Sequence, residues 1–125
     1  MIKVYIPGDK EFNYKQCKKL FKKYRDDIND NSEFRDIVQN TFFYSFFDDD
    51  NFLGCIYYFE NNGKLYVNAY ASRYHHLKNI ECLKLSMSWF NCDIFAKTTH
   101  KTAILCLYKC GFKKLSDNLY IYRRD

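Results

Sequence analysis

The sequence predicts an α/β domain of the α+β kind, with a mixed, mostly antiparallel sheet of about seven strands and four helices in the order β-α-α-β-β-β-α-β-α-β-β. Three observations predict it. Stretches that alternate with period two are interleaved with stretches of helical periodicity. Only 1 Pro and 4 Gly occur among 125 residues, so most of the chain belongs in regular elements. Hydrophobic residues make up 47% and charged residues 28%, near globular averages, which excludes disordered and fibrous classes. The length fits one domain, residues 1–125, with no room for a second core.

Ile2 to Ile6 alternate and stop at Pro7-Gly8, a strand closed by turn residues. Cys17, Leu20, Phe21, Tyr24 and Ile28 share one helix face, predicting a first helix over about 11–28. Ser32, with Glu33 and Asp36 in the next turn, caps a shorter helix that buries Phe34, Ile37 and Val38 and ends near 40. Three strands follow, Thr41 to Phe47, Phe52 to Glu60 and Lys64 to Ala71, as an antiparallel meander. Its second turn is Asn61-Asn62-Gly63, whose Asn-Gly step accepts positive φ. Gly54, inside a strand, marks a bulge or a close backbone approach. Ile80, Leu83, Met87 and Phe90 predict a helix over about 77–90. Ile94-Phe95-Ala96 reads as a short buried strand. A helix over about 101–110 buries Ala103, Ile104 and Leu107 and ends at Gly111. Phe112 to Leu115 and Leu119 to Tyr122 close the chain as a hairpin.

Composition narrows the function classes. No apolar run approaches the roughly 20 residues of a membrane span, and Met1 to Pro7 lacks the regions of a signal peptide, so a cytoplasmic location is expected. The six cysteines, at 17, 55, 82, 92, 106 and 110, include no Cys-x-x-Cys pair and read as buried thiols of a reducing compartment. A metal site built on Cys106 and Cys110 with His100 or His75-His76 lacks the spacing of structural zinc sites, and no metal is expected. The net charge of +5 is striped: residues 1–25 carry 8 basic and 2 acidic side chains, 26–60 carry 1 and 9, and 61–125 carry 11 and 4. Lys18, Lys19, Lys22, Lys23 and Arg25 read as a solvated helix face, and without a recognition motif a nucleic-acid partner rests on charge alone. Tyr66, Asn68, Tyr70 and Ser72 share a strand face and are expected to pack beneath a helix. Tyr44, Tyr120 and Tyr122 are expected to leave an aromatic surface suited to a protein partner.

The element order and one segment carry a resemblance. His100-Lys101-Thr102-Ala103-Ile104-Leu105-Cys106-Leu107-Tyr108-Lys109-Cys110-Gly111-Phe112 resembles the Asn-x-x-Ala-x-x-x-Tyr-x-x-x-Gly-Phe segment of the GNAT superfamily of N-acetyltransferases, with Ala103, Gly111 and Phe112 in register. The resemblance covers essentially the whole chain. It implies a GNAT-like domain whose strands four and five splay apart around acetyl-CoA, with the pyrophosphate at a helix N-terminus, and an acyltransferase acting on an amine. It implies Ala71, Arg73, His76, Lys78 and His100 as cofactor-binding residues and Tyr108 as the acid that protonates the leaving thiolate. The sequence departs from the family's pattern in two places. The family's glycine-rich loop corresponds to Ser72-Arg73-Tyr74-His75-His76-Leu77-Lys78-Asn79, which has no glycine. The family's tyrosine register holds Leu107, so Tyr108 needs a local helix distortion to face the cleft, since one residue turns a helix by about 100°. Glu60 and Glu81 are bases by type only. The acidic stretch from Asp26 to Glu60 is expected to attract the amine. The alternative is a catalytically inactive GNAT-like binding or structural protein with a protein partner or oligomeric state. The Lys, Asn, Asp, Ile, Tyr and Phe bias, that of an AT-rich genome, makes a bacteriophage virion or assembly component compatible with it.

Overall fold

A computed structural model describes residues 1–28, 33–71 and 76–124. One seven-stranded sheet runs in the order β1-β2-β3-β4-β5-β7-β6. Its strands are β1 (Ile2–Tyr5), β2 (Phe42–Asp48), β3 (Asn51–Asn61), β4 (Lys64–Ala71), β5 (Ile94–Lys97), β6 (Lys113–Ser116) and β7 (Leu119–Tyr122). The helices are α1 (Tyr14–Ile28), α2 (Phe34–Asn40), α3 (His76–Met87) and α4 (Lys101–Lys109). Every pairing is antiparallel except β4 with β5. The predicted element order and helix count hold.

The boundaries shift where local chemistry overrides periodicity. The first helix begins at Tyr14 because Asn13 adopts a left-handed conformation after a 3-10 turn at Lys10–Phe12. α2 begins at Phe34 behind Glu33, which makes no side-chain cap; the cap predicted at Ser32 lies outside the described residues. α3 stops at Met87, three residues before its predicted end. There the Arg124 guanidinium donates to the Met87 and Phe90 carbonyls at 2.6 and 2.9 Å, and the Phe90 ring sits on Tyr58 at 4.4 Å. Arg124 thus satisfies carbonyls left open at a helix end. Arg124→Ala is expected to cost about 2 kcal/mol, read as a lower midpoint in urea with unchanged slope.

The sheet separates two cores. On one face α1 and α2 bury Cys17, Phe21, Phe34, Ile37 and Val38 against Phe43, Cys55, Tyr57 and Tyr70. On the other, α3 and α4 bury Cys82, Leu83, Met87 and Leu107 against Phe46, Ile56, Tyr58, Val67 and Ile94. Of the tyrosine face of β4, Tyr70 packs beneath α1, meeting Phe21 at 5.7 Å, whereas Tyr66 stacks on Phe59 of β3 at 5.6 Å and Asn68 donates to the Tyr57 hydroxyl at 3.1 Å; Ser72 lies outside the described residues. The aromatic surface expected from Tyr44, Tyr120 and Tyr122 is different. Tyr120 is buried, and the large exposed aromatic side chains include Phe42 and Trp89 instead, because Tyr120 lies on the β7 face that closes under α4.

Candidate active site at the β4–β5 fork

β4 and β5 pair over two positions only, Leu65 with Ile94 and Tyr66 with Phe95. Beyond them the strands diverge. β4 continues to Ala71, held to β3 along its whole length. β5 ends at Lys97, after which the Thr98 amide bonds to the Asn118 carbonyl at 3.0 Å and the Thr98 hydroxyl accepts the His100 amide at 3.1 Å. That turn carries the chain away into α4. From Val67 to Ala71, alternate residues of β4 therefore present N–H and C=O groups to the gap with no strand opposite.

Gly54 shapes the gap from beneath. It lies at a bulge where Phe46 pairs with Gly54 and Phe47 with Phe52, leaving Leu53 as the extra residue. Its φ is +149°, and a Cβ there would sit 2.5 Å from the Tyr70 carbonyl oxygen. Both readings of this glycine, bulge and close approach, hold.

The fork opens into a cavity of about 680 Å³. Its floor comes from Leu53, Ile56, Val67 and Leu83, and its polar groups from Asn68, Asn79, Lys97, Thr98, His100 and Thr102. No carboxylate is among the described lining residues. Among its described residues the acidic stretch does not supply one: Asp48 is bound to the Met1 ammonium at 2.9 Å and to Lys78 at 3.2 Å, partners that hold its carboxyl below the ordinary carboxylate range. The side chains of Asp26 and Asp27, and all of Asp30, lie outside the described residues.

The residues singled out in the sequence divide between the cavity and elsewhere. Ala71 and His100 line it. Lys78 stands in the first turn of α3 but its ammonium is engaged by Asp48, a contact sequence spacing does not reveal. Arg73 lies outside the described residues, and His76 is described only as the first residue of α3. Among the described residues no group of three His, Cys, Asp or Glu side chains comes together to hold a metal.

Tyr108 is not in the cavity. α4 is regular: the Ile104 amide bonds to the His100 carbonyl at 3.0 Å, and the Cys110 amide to that of Cys106 at 3.1 Å. It presents Thr102, Ala103, Cys106 and Leu107 to the fork. Tyr108, a turn of about 100° onward, is 48% exposed and rests edge-on against Tyr120 at 5.8 Å. The distortion that a tyrosine acid requires is absent, so this geometry corrects the expectation that Tyr108 faces the thiolate. Cys106, read from sequence as a buried thiol, is instead half-buried on the cavity face. The Cys110 thiol, donating toward it, lowers its pKa, burial works against that, and Lys109 adds to the lowering. The spacing 102, 103, 106, 107 was the signal that places it beside Leu107.

No protein-family model and no curated protein matches the sequence. Solved structures do match in fold. An N-acetyltransferase from Staphylococcus aureus Mu50 superposes with a TM-score of 0.71 at 12% identity, covering 98% of this chain and 97% of that one. The ribosomal-protein-S5-alanine acetyltransferase from Vibrio fischeri gives 0.71 at 13% identity, covering 99% and 93%. An aminoglycoside acetyltransferase solved with coenzyme A gives 0.72 at 12% identity, covering 99% and 95%. The strand order and the four helices match those of these proteins: this chain has the fold of the GNAT N-acetyltransferases.

Proposed function

We propose that this chain is an acyltransferase of the GNAT type that draws an acyl group from a thioester such as acetyl-CoA and passes it to an amine. The single observation that carries the reading is the fork: five residues of β4 without a strand opposite, opening into a cavity large enough for a ligand. The fit is good for the thioester arm. Unpaired backbone groups along Val67–Ala71 bond an extended amide chain as a strand would, and the apolar floor excludes water from the carbonyl. The fit is poorer for the phosphates. The first amides of α3 offer a helix N-terminus, but Lys78 is held by Asp48 and the segment 72–79 has no glycine to permit close approach. Ala71 on the floor, His100 at the rim, and Arg73, His76 and Lys78 at the phosphate end form the proposed binding set. The lining among the described residues, one lysine and no carboxylate, gives a cationic acceptor nothing to pair with there.

A second reading, a catalytically inactive GNAT-like binding or structural component, in the cytoplasm or in a virion, with a protein partner or as an oligomer, is favoured by the outward direction of Tyr108. Titration calorimetry with acetyl-CoA tests the first reading. Binding is expected with a dissociation constant above about 10 μM, weaker than about −7 kcal/mol, because the phosphate end lacks its glycines. Tyr108→Phe is expected to leave that affinity, and any release of free thiol, unchanged within about twofold. No heat at millimolar acetyl-CoA overturns the reading in favour of the second. A loss of thiol release in the range of about 10²-fold or more for Tyr108→Phe restores the tyrosine acid.

A further inference from the structure

We propose that Cys106 is a covalent acyl acceptor, taking the acyl group from a thioester held in the fork before it reaches the amine. The inference rests on the acyl-thioester reading of the cavity. Three cysteines line that cavity, Cys55, Cys82 and Cys106, and position separates them. Cys55 and Cys82 are 1% and 3% exposed, whereas Cys106 is only part-buried, so it is the cavity thiol that a ligand reaches. It stands on the α4 face that meets the fork, next to Leu107 and one turn beyond Thr102.

Its surroundings suit a nucleophile. Cys110, one turn further along α4, donates to the Ile80 carbonyl at 3.8 Å and, by turning its proton toward Cys106 instead, lowers the pKa of that thiol. A thiol donating to a neighbouring sulfur stabilises the thiolate, as an adjacent cation does, and Lys109 supplies that cation. The C-terminal half of a helix gives an anion no help, so those two groups carry the lowering. The other two cavity thiols move the opposite way. Burial, with Glu81 nearby, pushes Cys82 up to about 12, and burial with the Cys17 contact pushes Cys55 well up. Thr102 is the hydroxyl on the same face, and a hydroxyl without a base is a far weaker nucleophile than a thiol.

The step balances without a further reactant. The Cys106 sulfur attacks the thioester carbonyl carbon, a new carbon–sulfur bond forms, the bond to the donor's sulfur breaks, and the donor leaves as a free thiol carrying the proton from Cys106. The amine then attacks the Cys106 thioester, yielding the amide and returning a proton to Cys106.

The experiment incubates the whole chain, reduced and without acceptor, with acetyl-CoA and separately with S-acetylcysteamine, a short thioester lacking the nucleotide. Intact mass and peptide mapping follow. One acetyl group per chain on Cys106, absent in Cys106→Ser and formed several-fold more slowly in Cys110→Ala, is the expected result. Wild-type peptide mapping locates the label whether or not the variants fold. Calorimetry on the same protein separates the two claims. Acetyl-CoA binding without an adduct, or an adduct on the exposed Cys92 instead, overturns the acyl acceptor and leaves the binding reading standing. Labelling of Cys106 by the short donor without acetyl-CoA binding supports the acceptor and overturns the coenzyme A reading. Neither labelling nor binding overturns both.

Discussion

Gly54→Ala is expected to be among the most damaging single-methyl changes in this chain, costing about 2–6 kcal/mol and abolishing ligand binding at the fork. Two penalties add. The backbone at Gly54 has a φ of +149°, a conformation L side chains rarely adopt, which costs about 1–3 kcal/mol. The new Cβ would also lie 2.5 Å from the Tyr70 carbonyl oxygen and 2.8 Å from the Ala71 Cα. Both contacts are backbone, so no rotamer change relieves them, and β3 must shift away from β4 at a cost of about 1–3 kcal/mol. Tyr70 and Ala71 line the cavity, so that shift deforms the site as well as the sheet. Thermal unfolding and acetyl-CoA calorimetry on the same variant read both effects. A variant of wild-type stability would show that the bulge relaxes freely and that Gly54 does not set the fork.

Phe43→Ala is expected to cost about 3–5 kcal/mol and to lower Tm by roughly 10–20 °C. Phe43 is 2% exposed and is the hub of the α1/α2 core, within 5.8 Å of Phe12, 5.6 Å of Phe34 and 5.4 Å of Tyr57 between ring centroids. Deleting it leaves a cavity that three aromatic rings fill poorly. Phe42, the preceding residue, is 57% exposed and touches Phe90 at 5.8 Å. Phe42→Ala is therefore expected to cost no more than about 1 kcal/mol. Equal losses for the two changes would contradict the assignment of β2's faces, since adjacent strand residues point to opposite sides.

Side-chain patterning made most of the fold legible. The meander could be read because Asn62 and Gly63 demand a tight turn, and both do adopt positive φ, 54° and 75°. α2 could be read because Phe34, Ile37 and Val38 fall on one face, and all three are buried. What resisted reading depends on backbone or on distant partners. Asn13 delays the start of the first helix through its own left-handed turn, and Asn tolerates that conformation without announcing it. The end of α3 depends on Arg124, remote in sequence. The fork, a property of pairing between β4 and β5, is written in no single residue and was expected through the resemblance alone. Around the site, Ala71 and His100 line the cavity, placed by register along a strand and a helix, which is a local quantity. The ion pair of Lys78 with Asp48 is set by tertiary packing, which no local pattern shows. Tyr108 and Cys106 changed roles for one reason: a regular α4 turns 107 and 106 inward, and conjecture about a distorted helix had favoured 108.

The central claim is that the open edge of β4 is where an acyl thioester binds. Amide chemical shifts followed during titration with acetyl-CoA test it most directly, because unpaired strand N–H groups report a new hydrogen-bond partner. The account predicts saturable changes at Val67–Ala71, at Ala96–Thr98 and along Thr102–Leu107, with the rest of the sheet unmoved. Changes confined to the exposed lysines of α1, Lys15, Lys18, Lys19 and Lys22, that vanish with added salt would mark a non-specific polyanion contact and contradict it.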